Sequence, residues 1–258
     1  MRVTILGCGG STGVPAVGNR WGACDRANPR NRRRRASVLV EEDDAVILVD
    51  TSPDLREQLL DAEVNHIDAV LWTHVHADHT HGLDDLREIC RLMQRPIEVF
   101  GDADTLGQLA RRFDYAFKSF DSQAQFPFYR PVLLSHEVTG PFFVRGVEVV
   151  PFDQDHGYLK TLGFRFGRFA YSTDVLRLDD AAFAALAGID TWVVDCTRET
   201  PHPVHAHLEL TLSWIERLKP RRAILTHMNI DLDYDALRRK LPPGVEPGYD
   251  GLVLDIPS

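Results

Sequence analysis

The decapeptide Thr73–Gly82, THVHADHTHG, concentrates four of the chain's eleven histidines and an aspartate. It follows the apolar run Ala69–Thr73, which reads as a buried strand. His74 and His76 stand two residues apart, so an extended backbone directs both side chains to one side. Asp78 and His79 come next, where the chain turns toward a helix predicted over Leu83–Met93. Imidazole suits zinc, manganese and iron, and a carboxylate adds charge. A lone His-x-His is a weak signal, more often a polar turn. His-x-His-x-Asp-His at the end of a buried strand reads as a metal site.

Outward from that stretch, the 258 residues are 44% hydrophobic and 26% charged, an ordinary globular composition. No repeat, low-complexity tract or linker divides the chain, so one domain over residues 1–258 is expected. The lack of any apolar run of about 18 residues argues against a membrane span. MRVTILGCGG reads as a strand entering a glycine turn rather than a signal peptide. Cys8, Cys24, Cys90 and Cys196 lack paired spacing, which points to reduced thiols in a cytoplasm. The net charge of −9 opposes a grip on long nucleic acid by bulk electrostatics. Against that acidic background stands Arg30-Asn31-Arg32-Arg33-Arg34-Arg35. It is either a solvated basic loop or a phosphate-facing one, since guanidinium forks match phosphate oxygens.

Ser11–Arg35 shows neither helical nor strand periodicity and reads as one long loop. Ser37–Val40 and Val46–Val49, with an acidic turn between them, form a hairpin. Pro53–Leu60 reads as a helix with Ser52 as N-cap, and Thr105–Phe117 as another. β-type runs crowd residues 132–172, and strands and helices then alternate loosely to the C-terminus. Interspersed strands and helices without strict βαβ alternation give an α+β layered sandwich. Three further polar residues each lie just past an apolar run, where a sheet presents a side chain at its edge. They are His156 after Val147–Phe152, Asp174 after Phe169–Ser172, and His227 after Ala223–Leu225. Any one alone is an ordinary strand terminus; all three converging on the first cluster fit two metals about 3.5–4 Å apart.

With THVHADH, His156, Asp174 and His227 in place, the chain resembles the metallo-β-lactamase superfamily, which implies a four-layer αββα sandwich with a dinuclear site. The resemblance implies that His74, His76 and His156 hold one metal while Asp78, His79 and His227 hold the other. Asp174 would bridge them with a water or hydroxide. Two divalent ions are implied, zinc or manganese, or iron according to supply. His81 falls outside the motif, and Asp50 matches a position that supports a ligand histidine by hydrogen bonding.

Over nearly its full length the chain is similar to the phosphoribosyl 1,2-cyclic phosphate phosphodiesterases. The signals are GCGGSTGVPA at Gly7–Ala16, RNRRRRAS, VVDCT at Val193–Thr197 and LTHM at Leu225–Met228. Founding members bind a further zinc through three cysteines and a histidine. Here VGNRWGAC keeps only Cys24, with Asn19, Trp21 and Ile230 at the other places, so no extra structural zinc is expected. Only 18 positions separate His156 from Asp174, too few for the substrate arm of transfer-RNA 3′ processing enzymes.

The activity implied is metal-dependent phosphodiester hydrolysis of a small cyclic or ribose-containing phosphate. An alkoxide leaving group needs a general acid. In PHPVHAHLELT the family's catalytic histidine best matches His205, with His207 in reserve. Asp78 counts among the catalytic residues as well as the ligands. An anionic substrate would meet backbone N–H groups at Gly9–Gly13 or arginines of the loop. The alternatives are an acyl (thioester or lactone) hydrolase, or a nucleotide-binding metal protein without turnover. The expected partner is a small phosphorylated substrate, with no long nucleic acid and no membrane. A homodimer is open, because the aromatic stretch Phe113–Tyr129 suits a lid, an interface or core packing.

Overall fold

Every residue of Ala45–Val49 is buried, yet alternate side chains enter different cores. Ala45, Ile47 and Val49 join one cluster; Val46 and Leu48 join another. The same split separates Val38 and Val40 from Leu39, and Ala69 and Leu71 from Val70. Side chains with a period of two that are buried on both sides belong to a sheet covered on both faces.

The computed structural model describes residues 1–257. Among these, fourteen strands form two sheets of seven. The first holds β1 (Arg2–Gly7), β2 (Ser37–Glu42), β3 (Ala45–Val49), β4 (Ala69–Leu71), β5 (Ile97–Gly101) and β6 (Leu133–Glu137) in sequence order, with β14 (Val253–Asp255) beside β1. The second runs from β7 (Phe142–Val144) through β8 (Val147–Asp155), β9 (Lys160–Phe166), β10 (Phe169–Ser172), β11 (Thr191–Asp195) and β12 (Arg222–Thr226) to β13 (Val245–Pro247). Helices α1 (Leu55–Asp61), α3 (Leu86–Met93) and α4 (Ala103–Arg112) pack on the outside of the first sheet, and α2 (Ala77–Thr80) and α5 (Asp114–Phe117) are short turns on that side of the chain. Helices α6 (Asp180–Leu186), α7 (Leu208–Leu218) and α8 (Tyr234–Lys240) pack with the second. The layers are therefore αββα, the sandwich expected. None of the helices is long and apolar enough to cross a membrane.

Local differences from the sequence reading have local causes. The first helix starts at Leu55, because Ser52 Oγ accepts the Asp54 N–H (3.1 Å) and donates to Gln58 Oε1 (2.9 Å), making a turn. Thr105–Phe117 is two helices. Asp102 caps the first through the Thr105 N–H (2.7 Å), and Phe113 leaves helical geometry at φ −123°. Strand β8 runs past Phe152 to Asp155, and β4 stops at Leu71. Of the aromatic stretch, Phe113, Tyr115, Phe117, Phe120 and Phe128 pack on the outer core, whereas Phe126 and Tyr129 stay exposed.

The arginines of the long loop anchor it rather than face the histidines. Arg33 is 2% exposed and donates to Asn229 O and Asn31 Oδ1, each at 3.3 Å. Arg34 pairs with Asp61 (2.6 Å), Arg35 with Asp54 (3.1 Å), and Arg30 lies over Tyr234 and Tyr249. Arg30, Arg32 and Arg34 border a groove of about 570 Å³ whose walls include none of the clustered histidines. The sequence left a solvated loop and a phosphate-facing one open; in the structure Arg33, Arg34 and Arg35 are tied to Asn229, Asp61 and Asp54.

Gly82 closes the histidine motif against the turn before α1. A Cβ there would lie 1.9 Å from Ser52 O and 2.7 Å from Leu55 Cβ, with backbone that cannot yield cheaply. Gly82→Ala is expected to destabilise the fold by about 3 kcal/mol. Gly140→Ala, which meets nothing within 4 Å, should change it by less than about 0.5 kcal/mol. Urea unfolding midpoints of the two variants check the contrast.

Candidate metal centre

Parallel strands place their C-terminal ends at one edge. In the first sheet β3 and β4 run together, in the second β10, β11 and β12, with β8 pointing the same way across two antiparallel pairings. Just past these ends come Asp50, His74 with its motif, Asp174, His227 and His156, while Asp195 is the last residue of β11. Asp50, Asp174 and His227 take φ values of +65°, +51° and +56°. Left-handed backbone costs about 1–2 kcal/mol per non-glycine residue. It turns the chain abruptly, and such strain gathers at functional sites. His74 and His76 converge through the loop into α2 rather than by strand alternation, with ring centroids 4.5 Å apart.

Asp174 sits at the centre, 1% exposed. Its Oδ2 lies 3.7 Å from His74 Nε2 and 3.6 Å from His156 Nε2. Its Oδ1 lies 3.1 Å from His79 Nε2 and 3.3 Å from His227 Nε2. Two donor sets result: His74, His76, His156 and Asp174; and Asp78, His79, Asp174 and His227. All seven residues expected as ligands are thus brought together. His81 is not; it is exposed, and its ring meets Phe113 edge-on.

The outer nitrogen of each of these four imidazoles is bound to an acceptor. His79 Nδ1 meets Asp50 Oδ2 (2.7 Å), and His156 Nδ1 meets Val204 O (2.7 Å). His74 Nδ1 meets Thr73 Oγ1 (3.0 Å), whose proton goes to Asp50. His227 Nδ1 meets Thr197 Oγ1 (3.2 Å), whose proton goes to Asp195. A carboxylate, a carbonyl or a hydroxyl already donating elsewhere can only accept, so Nδ1 carries the proton and Nε2 presents a lone pair inward. Lone pairs aimed at a buried carboxylate repel it unless a cation lies between. His74 Nε2 and His79 Nε2 are indeed buried without a hydrogen-bond partner. Two ligand atoms about 2.1 Å from one tetrahedral ion stand about 3.4 Å apart, and the observed spacings of 3.1–3.7 Å bracket that value. The residues fit divalent metal ions.

Without a cation the site uses protons. Burial holds His74, His76 and His156 below the ordinary imidazole range. Burial acts the same way, and as the largest single effect, on His79 and His227, but the carboxylates around them together outweigh it. Asp174 with Asp78 and Asp50 raises His79, and Asp174 with Asp78 and Asp195 pushes His227 up to about 9. Burial opposes ionisation of Asp174, and the surrounding imidazoles, His227 foremost, nonetheless hold it below the usual carboxylate range.

His205 adjoins this cluster. Its Nδ1 lies 3.0 Å from Asp195 Oδ2, its Nε2 3.7 Å from Asp174 Oδ2, and its ring stacks on His227 at 4.8 Å. His207 occupies the N-cap position of α7 without capping it through its side chain. Two neighbours escaped the sequence reading. Asp195 is fully buried and also accepts the Val175 N–H (3.0 Å); its place at the end of β11 was the available signal. Tyr158 shares a hydrogen bond with His76 Nε2 (3.0 Å), and a tyrosine in a turn carries no such signal.

A family model described as a β-lactamase superfamily domain matches residues 46–228, and the chain belongs to that superfamily. A solved structure of a new diphosphatase from the PhnP family superposes with a TM-score of 0.90 at 34% identity, over 99% of this chain and 98% of that one. An octanoyltransferase of Porphyromonas gingivalis is 34% identical over 258 residues, 98% of this chain. The chain spans only 51% of that protein's length. The anti-Pycsar protein Apyc1 of Paenibacillus harenae is 28% identical over 207 residues, 76% of this chain and 84% of its own.

Because Asp50 fixes both His79 and Thr73, Asp50→Ala is expected to weaken divalent-cation affinity by about 10- to 100-fold. Competition against a chromophoric chelator measures it.

Proposed function

We propose that the chain is a two-metal hydrolase of small phosphoesters, with a cyclic or ribose-containing phosphodiester as its favoured substrate. The carrying observation is the shared carboxylate: one oxygen of Asp174 faces each donor set. In this reading His74, His76 and His156 hold one ion, Asp78, His79 and His227 the other, and Asp174 both. When bound, a pair of zinc, manganese or iron ions supplies an acidified water and offsets charge on phosphoryl oxygens. In this reading Asp78, the more open carboxylate with a side chain 13% exposed, takes the proton of the attacking water. His205 then protonates the leaving oxygen from Nε2, because Asp195 fixes its Nδ1. His207, turned to the start of α7, stands in reserve.

Similarity to a diphosphatase over the whole chain supports the phosphoester. The net charge of −9 supports a small substrate over long nucleic acid. Four buried, unpaired cysteines accord with a reducing cytoplasm. An acyl substrate is the second reading. It draws on the octanoyltransferase, a protein about twice this length.

Elemental analysis should give about two metals per chain. Phosphorus NMR should show turnover of cyclic ribose phosphate, 2′,3′-cyclic nucleotides or dinucleotides, and Asp174→Ala should abolish it. His205→Ala should lower kcat by about 10²- to 10⁴-fold for an alkoxide leaving group, and far less for nitrophenolate, which needs no proton. Inertness toward every phosphoester with hydrolysis of a thioester or lactone transfers the assignment to acyl chemistry.

A further inference from the structure

Tyr158 is 71% exposed, and large exposed aromatics are common enough to need no purpose. This one differs from the exposed Phe126 and Phe143 in carrying a hydroxyl that is engaged. Its hydroxyl is bonded to Nε2 of His76, and its ring centre lies 6.0 Å from the His76 ring and 5.9 Å from that of His156. The ring is tilted 42° and 40° against those two, so neither imidazole covers its face.

The turn beneath it is held firmly. His156 N–H donates to Leu159 O (2.9 Å), and Tyr158 N–H donates to His156 O (3.2 Å). Asp155 Oδ1 accepts the Gly157 N–H (2.6 Å), while its Oδ2 pairs with Arg177 (2.9 Å). Gly157 has φ +86°, and a Cβ there would meet Val204 Cγ1 at 2.8 Å. Backbone fixed at one end and hydroxyl fixed at the other leave the ring one orientation, with a bare face beside the donor cluster. An aromatic presented this way is preorganised to stack a planar group, and stacking on a fixed ring needs little further ordering.

We propose that Tyr158 is a specificity-determining residue, a stacking platform that selects phosphoesters bearing a nucleobase over those bearing ribose alone. The proposal rests on the phosphoester reading and narrows its substrate class to nucleotides. The base lies against the Tyr158 ring while the phosphoryl group reaches the Asp174 cluster, with the sugar spanning between them. The hydroxyl contact to His76 sets the ring's angle; the face does the selecting.

The test uses the full-length, metal-loaded protein with two probes, adenosine monophosphate and ribose 5-phosphate. Affinities come from calorimetry and turnover from the matching cyclic phosphates. The wild type should bind the nucleotide about 5- to 150-fold more tightly, the range one stacked base contributes. Tyr158→Ala should erase that preference through KM, raising KM for the nucleotide substrate far more than for the base-free one. Tyr158→Phe, which keeps the ring and loses the hydroxyl, should retain most of it. Circular dichroism and metal content confirm that each variant is folded and loaded. Equal wild-type affinity for the two probes overturns the proposal, as does equal weakening of both by Tyr158→Ala, which would make the residue a support for His76. Failure to bind or turn over either probe, with acyl turnover intact, overturns the phosphoester reading itself.

Discussion

A carboxylate sealed from water organises this molecule. Ionised Asp174 in an apolar interior would be prohibitive on its own, and it is tolerated because imidazoles surround it. Those imidazoles serve only if their lone pairs point inward, which requires an acceptor behind each ring. Asp50, Thr73, Thr197 and Val204 O occupy those places. In the metal-free chain His79 and His227 gather protons against the same charge. Cations and protons therefore compete for one set of nitrogens, and acid favours the proton.

Sheet topology supplies what that arrangement demands. No short segment brings six donors around one carboxylate, but strands that end at a common edge do so, four residues following β4 and one each following β8 and β12. The edge also tolerates the abrupt turns at Asp50, Asp174 and His227, because hydrogen bonds with adjacent strands and loops hold them, Thr161 Oγ1 donating to Asp174 O (3.0 Å). Met228 N–H donates to Cys8 O, and Asp50 N–H to Leu71 O. Strain is thus borne locally by three residues while the strands behind them stay regular.

Much of this was legible in sequence, for definite reasons. β-rich apolar runs such as Val46–Val49 and a histidine motif behind a buried strand are local signals, and both survive translation into structure. Asp174 and His227 were found because polar residues just past apolar runs mark a sheet edge. Asp195 obeys the same rule at the end of β11 and was passed over as part of a family signature. The arginine loop misled because charge pattern does not reveal distant partners. Arg33 meets Asn229, 196 positions away, and nothing near Arg33 in sequence announces that carbonyl. Tyr158 was invisible for a related reason: its meaning lies in His76, 82 positions back.

Each donor set takes residues from both sheets. His74 and His76 belong to the first and His156 to the second; Asp78 and His79 belong to the first and His227 to the second, with Asp174 common to both sets. An ion held by either set would therefore cross-link the two halves of the sandwich, closing a loop of some eighty residues or more of chain. Its occupancy and the cohesion of the seam are one linked equilibrium. Free cation at a hundredfold excess over its dissociation constant adds about 2.7 kcal/mol to the folded state. The interface between the sheets would accordingly hold together most firmly with the donor sets occupied, and chelation would loosen the architecture along with them.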